Sequence, residues 1–275
     1  MKKSSTIRAN DRNLYKSALQ FLKEITPKEI SAADLADYLT APAKTKPSNL
    51  NGLYERVLMS AQNANMKIKV IGGSIGGVQS LGKMLAGFSP KKVLEQYGKD
   101  SERLLDDIMR QLKPQGKMRL TSRSIWPQYC RTILSAAEFM ARFKSAGDFY
   151  EWVEFFDQDE RARPGLPLII SKEVRGMGFA LACDFLKELG YANFGKPDVH
   201  VRDIFQAAGL CDKDSSDYCL LRTLCRVAEN AGVTPYTADK VFWLIGSGSF
   251  YKHRHLGDNG RIARPKARFI TLLKS

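Results

Sequence analysis

Two glycines bracketing one residue, with an amphipathic helix behind them, make a place where an anion can be held. In this chain Gly176 and Gly178 flank Met177. Glycine at both positions suits a tight turn that needs positive φ and lets another backbone come close. From Phe179 the apolar residues Phe179, Ala182, Cys183, Leu186 and Leu189 recur at i, i+3, i+4 and i+7 spacing, and Gly190 stands as a stop. This predicts one helix of about three turns. Its first amides would point back over Gly176 to Ala180, where helix polarity favours an anion such as a nucleic-acid phosphate. Asp198 comes next, ahead of Val199-His-Val-Arg-Asp-Ile-Phe205. An aspartate so placed is a common helix N-cap. His200 falls in the first turn of the helix that Asp198 opens, where packing or hydrogen bonding is the ordinary role and active-site chemistry the alternative.

Val174-Arg-Gly-Met-Gly-Phe-Ala-Leu-Ala182 resembles the hairpin of the helix-hairpin-helix DNA glycosylase superfamily, and Pro197-Asp-Val-His-Val-Arg202 is similar to its aspartate segment. The separation of the two matches endonuclease III-like members. The clear resemblance runs from Ile170 to Leu210, with a fainter likeness at Lys240-Val-Phe-Trp-Leu-Ile-Gly246. It implies that Asp198 is an ionised carboxylate that activates or orients water and stabilises an oxocarbenium-like sugar as the base departs. The family's lyase lysine, two residues after the second glycine, corresponds to Ala180, which cannot form a Schiff base. The resemblance therefore implies hydrolysis by water without strand scission. It also implies that Gly176, Met177, Gly178 and Ala180 grip DNA backbone, with Lys172, Arg175 and Arg202 as candidate phosphate contacts. Each of these three could equally be ordinary exposed charge. The implied partner is double-stranded DNA carrying a damaged or modified base, which must leave the stack before its glycosidic bond can be reached. No cofactor is implied beyond a hydrated alkali ion that relatives hold with hairpin carbonyls. The excised base, and whether the role is repair or phage defence, lie outside the motif.

The elements that must position these residues read as helices almost throughout. Leu14, Ala18, Phe21 and Leu22 form one stripe, after a polar, basic stretch at residues 1–12 expected to be a mobile arm. Thr26-Pro-Lys-Glu29 is a capping-box start, with Ser31-Ala-Ala-Asp34 as the nearby alternative. Residues 41–51 read as a loop. Further helices are expected from Ser89-Pro90, over Glu102–Leu112, from Trp126-Pro127 to Met140, over Gly147–Phe156, over Ser215–Asn230 and from Thr234-Pro235. The aromatic Gly147–Phe156 helix could stack a base, although core packing is the ordinary use of such residues. The expected fold is all-α, in two helical lobes with the active cleft between them. By resemblance, residues 62–190 form a bundle ending in the helix-hairpin-helix. Residues 191–275 form a C-terminal lobe carrying Asp198 and a basic tail, and residues 1–61 pack with that lobe.

The chain has 275 residues, 43 Lys and Arg against 29 Asp and Glu, and a net charge of +14. That balance suits a polyanion and predicts strongly salt-dependent binding. In the tail Lys252, Arg254, Arg261, Arg264, Lys266 and Arg268 interleave with Tyr251, His253 and His255, either a phosphate-contacting strip or a solvated basic end. Cys130, Cys183, Cys211, Cys219 and Cys225 show neither secretory pairing nor the spacing of a zinc or iron–sulfur site. With no signal peptide or long apolar span, the expectation is a cytoplasmic monomer without a membrane or metal. A competing reading starts at Lys67-Ile-Lys-Val-Ile-Gly-Gly-Ser-Ile-Gly-Gly77. A β-branched run leading into glycines resembles the first strand and turn of a flavin- or nicotinamide-binding fold, but Ser74 stands where the close-approach glycine belongs.

Overall fold

The computed structural model describes residues 2–42, 46–62, 70–116, 119–258 and 260–274. The helices are α1 (Lys2–Ile25), α2 (Ala32–Leu39), α3 (Leu50–Ala61), α4 (Pro90–Tyr97), α5 (Ser101–Leu112), α6 (Ile125–Met140) and α7 (Ala146–Asp157). They continue with α8 (Gly165–Glu173), α9 (Phe179–Glu188), α10 (Val199–Ala207), α11 (Asp217–Ala231), α12 (Pro235–Ser247) and α13 (Pro265–Lys274). Two 3-10 segments lie at Gly72–Ile75 and Val78–Lys83. The described residues contain no named strand, only an isolated bridge between Ser249 and Arg261. The fold is thus all-α. The chain divides into two compact units, Met1–Lys44 with Leu186–Ser275, and Thr45–Phe185.

In the first unit α12 is the centre, packed by α1, α2, α10, α11 and α13. Nine of its residues are buried, from Tyr236 to Gly246, the pattern of a helix enclosed on all sides rather than on one stripe. Thr234 caps it by accepting from the Thr237 amide at 3.2 Å, with Pro235 in the first position. The stretch expected to be a mobile arm is the beginning of α1. Asp11 is fully buried there and accepts hydrogen bonds from Arg226 Nε at 2.8 Å and Asn230 Nδ2 at 2.7 Å. Of the two candidate starts for α2, Ser31 is the cap, in a full capping box with Asp34. Thr26 instead ends α1, its hydroxyl donating to the Leu22 carbonyl.

The second unit is organised the same way around α6, which packs against α3, α4, α5 and α8. Two buried phenols fix α3 on α6: Tyr54 donates to the Ile133 carbonyl at 2.8 Å, and Tyr129 to the Leu58 carbonyl at 2.9 Å. Residues 50–61 therefore belong with this bundle, which corrects the expected 1–61 division that placed them with the C-terminal unit. Phe139, Phe143, Phe149 and Trp152 interlock with centroids 5.1–6.0 Å apart. Of the α7 aromatics Phe149 is buried in the core, Tyr150, Trp152 and Phe156 are half-buried, and Phe155 is 71% exposed.

Lys67–Lys69, the start of the competing strand, lie outside the described residues. From Val70 onward the chain makes a turn and the two 3-10 segments, with left-handed Gly76 (φ 75°) and Gly77 (φ 116°) between them. A Cβ on Gly72 would lie 2.6 Å from Gln62 Oε1, which accepts the Gly72 amide. These glycines serve a compact 3-10 corner, and the helix that a dinucleotide turn requires does not form.

Candidate active site and hairpin

The hairpin is built in the second unit. Val174 closes α8, its amide donating to the Ile170 carbonyl, and its own carbonyl accepts the Met177 amide at 3.1 Å. Gly176 occupies the third place of this four-residue turn with φ 79°, where a left-handed backbone is needed. The Gly178 carbonyl accepts the Leu181 and Ala182 amides at 3.0 Å and so starts α9. Only the first glycine has positive φ, against the expectation for both. Gly178 is exposed, with open space where a Cβ would stand. Met177, expected among the DNA contacts, is buried as a whole residue, 1% exposed, and lies in the core. Lys172 and Arg175 are exposed, Ala180 is half-buried, and the Arg175 amide donates to Ser135 Oγ on α6 at 2.9 Å.

Gly176→Ala combines left-handed strain with a Cβ 2.6 Å from Thr132 Oγ1. It should cost about 1–3 kcal/mol in urea unfolding. Gly178→Ala should stay within about 0.5 kcal/mol of the parent. Equal losses for the two would overturn this description of the turn.

Asp198 belongs to the first unit. The loop before it lies on the start of α12: Ala192 accepts the Tyr236 amide at 2.9 Å, and a Cβ on Gly195 would stand 3.1 Å from Asp239 Cβ and 2.4 Å from Leu224 Cδ2. Asp198 is the N-cap of α10. Its Oδ1 accepts the amides of His200 at 2.8 Å and Val201 at 3.3 Å. The side chain is half-buried, and no described residue hydrogen-bonds Oδ2. Burial raises the Asp198 pKa above the ordinary carboxylate value. The nearby charge of Asp239 adds to this, while Lys196, His200 and the Val201 amide oppose it.

Asp239 and Lys187 carry no signal in the sequence. Asp239 is fully buried on α12, and its Oδ2 accepts from Lys187 Nζ at 2.7 Å. Its Oδ1 is buried with no partner among the described residues. Lys187 is 3% exposed in the last turn of α9, with Nζ 6.0 Å from the Tyr236 ring centre. Lys240, next to Asp239 on α12, lies among the rings of Tyr236, Trp243 and Tyr251, 5.3–5.8 Å from their centres, and pairs with Glu188 at 3.5 Å. A lysine in a helix end and an Asp-Lys pair in a helix normally signal solvated charge, so spacing alone does not distinguish these residues.

His200 packs against Gly246, where an added Cβ would meet its Cβ at 2.3 Å. Its Nδ1 is buried without a partner among the described residues. Burial lowers its pKa below the ordinary histidine value, partly offset by Asp198. The ring is therefore neutral at neutral pH.

Arg202 is not free for phosphate. It pairs with Asp217 at 2.7 Å and donates to the Ser215 carbonyl, tying α10 to the start of α11. Arg202→Ala should lower the thermal midpoint and, on the expectation of a DNA partner, leave the salt slope of that binding unchanged, because its charge is already matched. A reduced slope would restore it as a phosphate contact. The tail is similarly divided: Lys252 pairs with Asp37, Lys266 with Asp203, and Arg268 lies over the Phe21 ring, while Arg254, Arg261 and Arg264 are exposed.

None of the five cysteines forms a disulfide, and Cys219 is exposed. Among the described residues no group of three or more His, Cys, Asp or Glu could hold a metal ion, and no helix is long and apolar enough to cross a membrane. An alkali ion at the hairpin would have to use carbonyl oxygens, and those of Val174 and Gly178 already accept backbone amides. No protein-family model, no curated protein and no solved structure matches this chain.

Proposed function

We propose that this protein is a DNA N-glycosylase that hydrolyses the bond between a modified or damaged base and its deoxyribose, leaving an abasic site. The observation that carries the reading is the state of Asp198. One oxygen is fixed by two backbone amides and the other takes no hydrogen bond from the described residues. A carboxylate oriented by its helix and poor in solvent suits both polarising a water and countering positive charge on a sugar ring.

On this reading the duplex is held at the exposed Gly176 and Gly178, with Lys172 and Arg175 close in sequence to supply positive charge. The amides at the start of α9 face an anion by helix geometry. The target nucleotide leaves the stack and its sugar meets Asp198, which requires the cleft between two lobes that the resemblance implies. As the glycosidic bond lengthens, the carboxylate stabilises the oxocarbenium-like sugar and takes a proton from the attacking water. The departing base carries the bonding electron pair. Ala180 offers no amine, so the abasic sugar stays unbroken until alkali is added. Neutral His200, in the first turn of α10, can orient but does not supply positive charge.

The test is a set of duplexes each carrying one modified base, incubated with protein and read by alkaline cleavage. Product from one or more substrates with the parent, and none with Asp198→Asn, supports the reading. DNA affinity with no product on any substrate, unaffected by Asp198→Asn, would leave a non-catalytic DNA-binding module in which Asp198 is only a helix cap. Strand breakage without alkali would contradict hydrolysis alone as the outcome.

A further inference from the structure

The glycine-rich corner Gly72–Gly77 has no part in base removal, yet it forms a wall of a cavity of about 900 Å³ within the Thr45–Phe185 unit. Gln115, also in the lining, donates its amide to the Ser74 carbonyl at 2.8 Å and ties the loop after α5 to that wall. Among the described residues of the lining the charged side chains are Arg119 and Arg123, with no carboxylate beside them. Both arginines are exposed, and neither meets an acidic partner among the described residues.

The start of α6 also lines this cavity, through Ser124, Ile125 and Trp126. Ser124 is the N-cap residue but makes no capping hydrogen bond, and its hydroxyl is paired with Thr121 Oγ1 at 2.7 Å. The amides of Ile125 and Trp126 therefore have no acceptor among the described residues, and Pro127 has no amide to offer. Val70 and Ile125, 38% and 37% exposed, add apolar surface. Unpaired guanidinium groups, unclaimed amides and apolar edges in one concavity match an anion carried on an organic group.

We propose that this cavity binds a phosphate ester, Arg119 and Arg123 pairing with the phosphoryl oxygens and the first α6 amides donating to the same group. Val70 and Ile125 cover the attached organic part. The phosphate comes either from a free nucleotide or from a single nucleic-acid strand. This inference does not depend on the glycosylase reading, because none of its residues belongs to the hairpin or to the Asp198 site.

The test uses the full chain, AMP as the free-nucleotide probe, and a fluorescein-labelled twelve-residue oligo-dT as the strand probe. Calorimetry reads the first and anisotropy the second. The double variant Arg119→Gln/Arg123→Gln should weaken at least one probe by about tenfold or more. If the strand is the ligand, its salt slope should fall by about 0.7, as expected for one single-strand phosphate contact. Ile125→Glu places a carboxylate where helix polarity favours one, so the thermal midpoint should hold or rise while binding drops about tenfold or more. Loss for AMP alone assigns a free nucleotide, and loss for oligo-dT alone assigns a strand. If the parent binds neither probe, or if both variants bind both probes within about twofold of the parent, the proposal fails. Lys172→Ala/Arg175→Ala, on the hairpin, should leave AMP binding unchanged.

Discussion

Asp198→Asn should reduce base release from the cognate duplex by about 10³-fold or more, the loss typical of removing a general base or a charge-stabilising group. The same substitution should not destabilise the protein. Asparagine caps a helix about as well as aspartate, so the amides of His200 and Val201 keep an acceptor. The fold also holds the Asp198 carboxyl at a raised pKa, through burial first and the Asp239 charge second. Such a group contributes stability that is fully present below its unfolded pKa and is lost as pH rises through its folded pKa. Parent and variant should therefore be closest in stability at acid pH, with the variant level or ahead at neutral pH. Thermal midpoints measured from about pH 4 to 8 check the sign. A variant that loses stability as pH rises relative to the parent would show that ionised Asp198 is favoured by the fold, and would remove the argument from burial. Activity should fall on the acid side at a pH above the ordinary carboxylate range, because the working form is the ionised one.

Lys187→Met should be the most damaging single change to the fold. It leaves Asp239, fully buried and with Oδ1 already unpartnered, without the ammonium 2.7 Å from Oδ2. Breaking a buried pair from one side costs about 3–5 kcal/mol, a large share of a stability of about 5–15 kcal/mol. Replacing both members, as Lys187→Met/Asp239→Leu, should recover most of that loss, since an apolar pair of similar volume is often neutral or better. Denaturant midpoints of the three proteins decide the matter. A single variant within about 1 kcal/mol of the parent would mean that water reaches the pair. The double variant also removes the Asp239 charge that helps raise the Asp198 pKa, so the acid limb of its activity should move toward lower pH.

The local pattern of this chain is legible in its sequence because it depends on neighbours a few residues away. Apolar spacing at i, i+3, i+4 and i+7 marks α9 and α11, Thr234 marks the start of α12, Ser31 is one of two starts the sequence offers for α2, and Gly176 marks a left-handed turn. The all-α fold comes from these elements together. Asp198 can be read both as a helix cap and, by resemblance, as a reacting carboxylate, because both properties need only the residue and the helix behind it.

Tertiary structure decides what each charged residue has as company, which spacing does not encode. Arg202 looks like a phosphate contact until Asp217, fifteen residues on, neutralises it. Asp11 looks like part of a solvated arm until Arg226 and Asn230 enclose it from the far end of the chain. Lys187 and Asp239 look like surface charge until the fold brings two residues separated by 52 positions into a buried pair. Met177 sits between two glycines at an exposed turn, yet its side chain points into a core built by other helices. Periodicity fixes which face of a helix is apolar. Whether a charge is solvated, paired or sealed depends on partners brought together only when the helices pack, and that pairing sets both pKa and availability to a ligand.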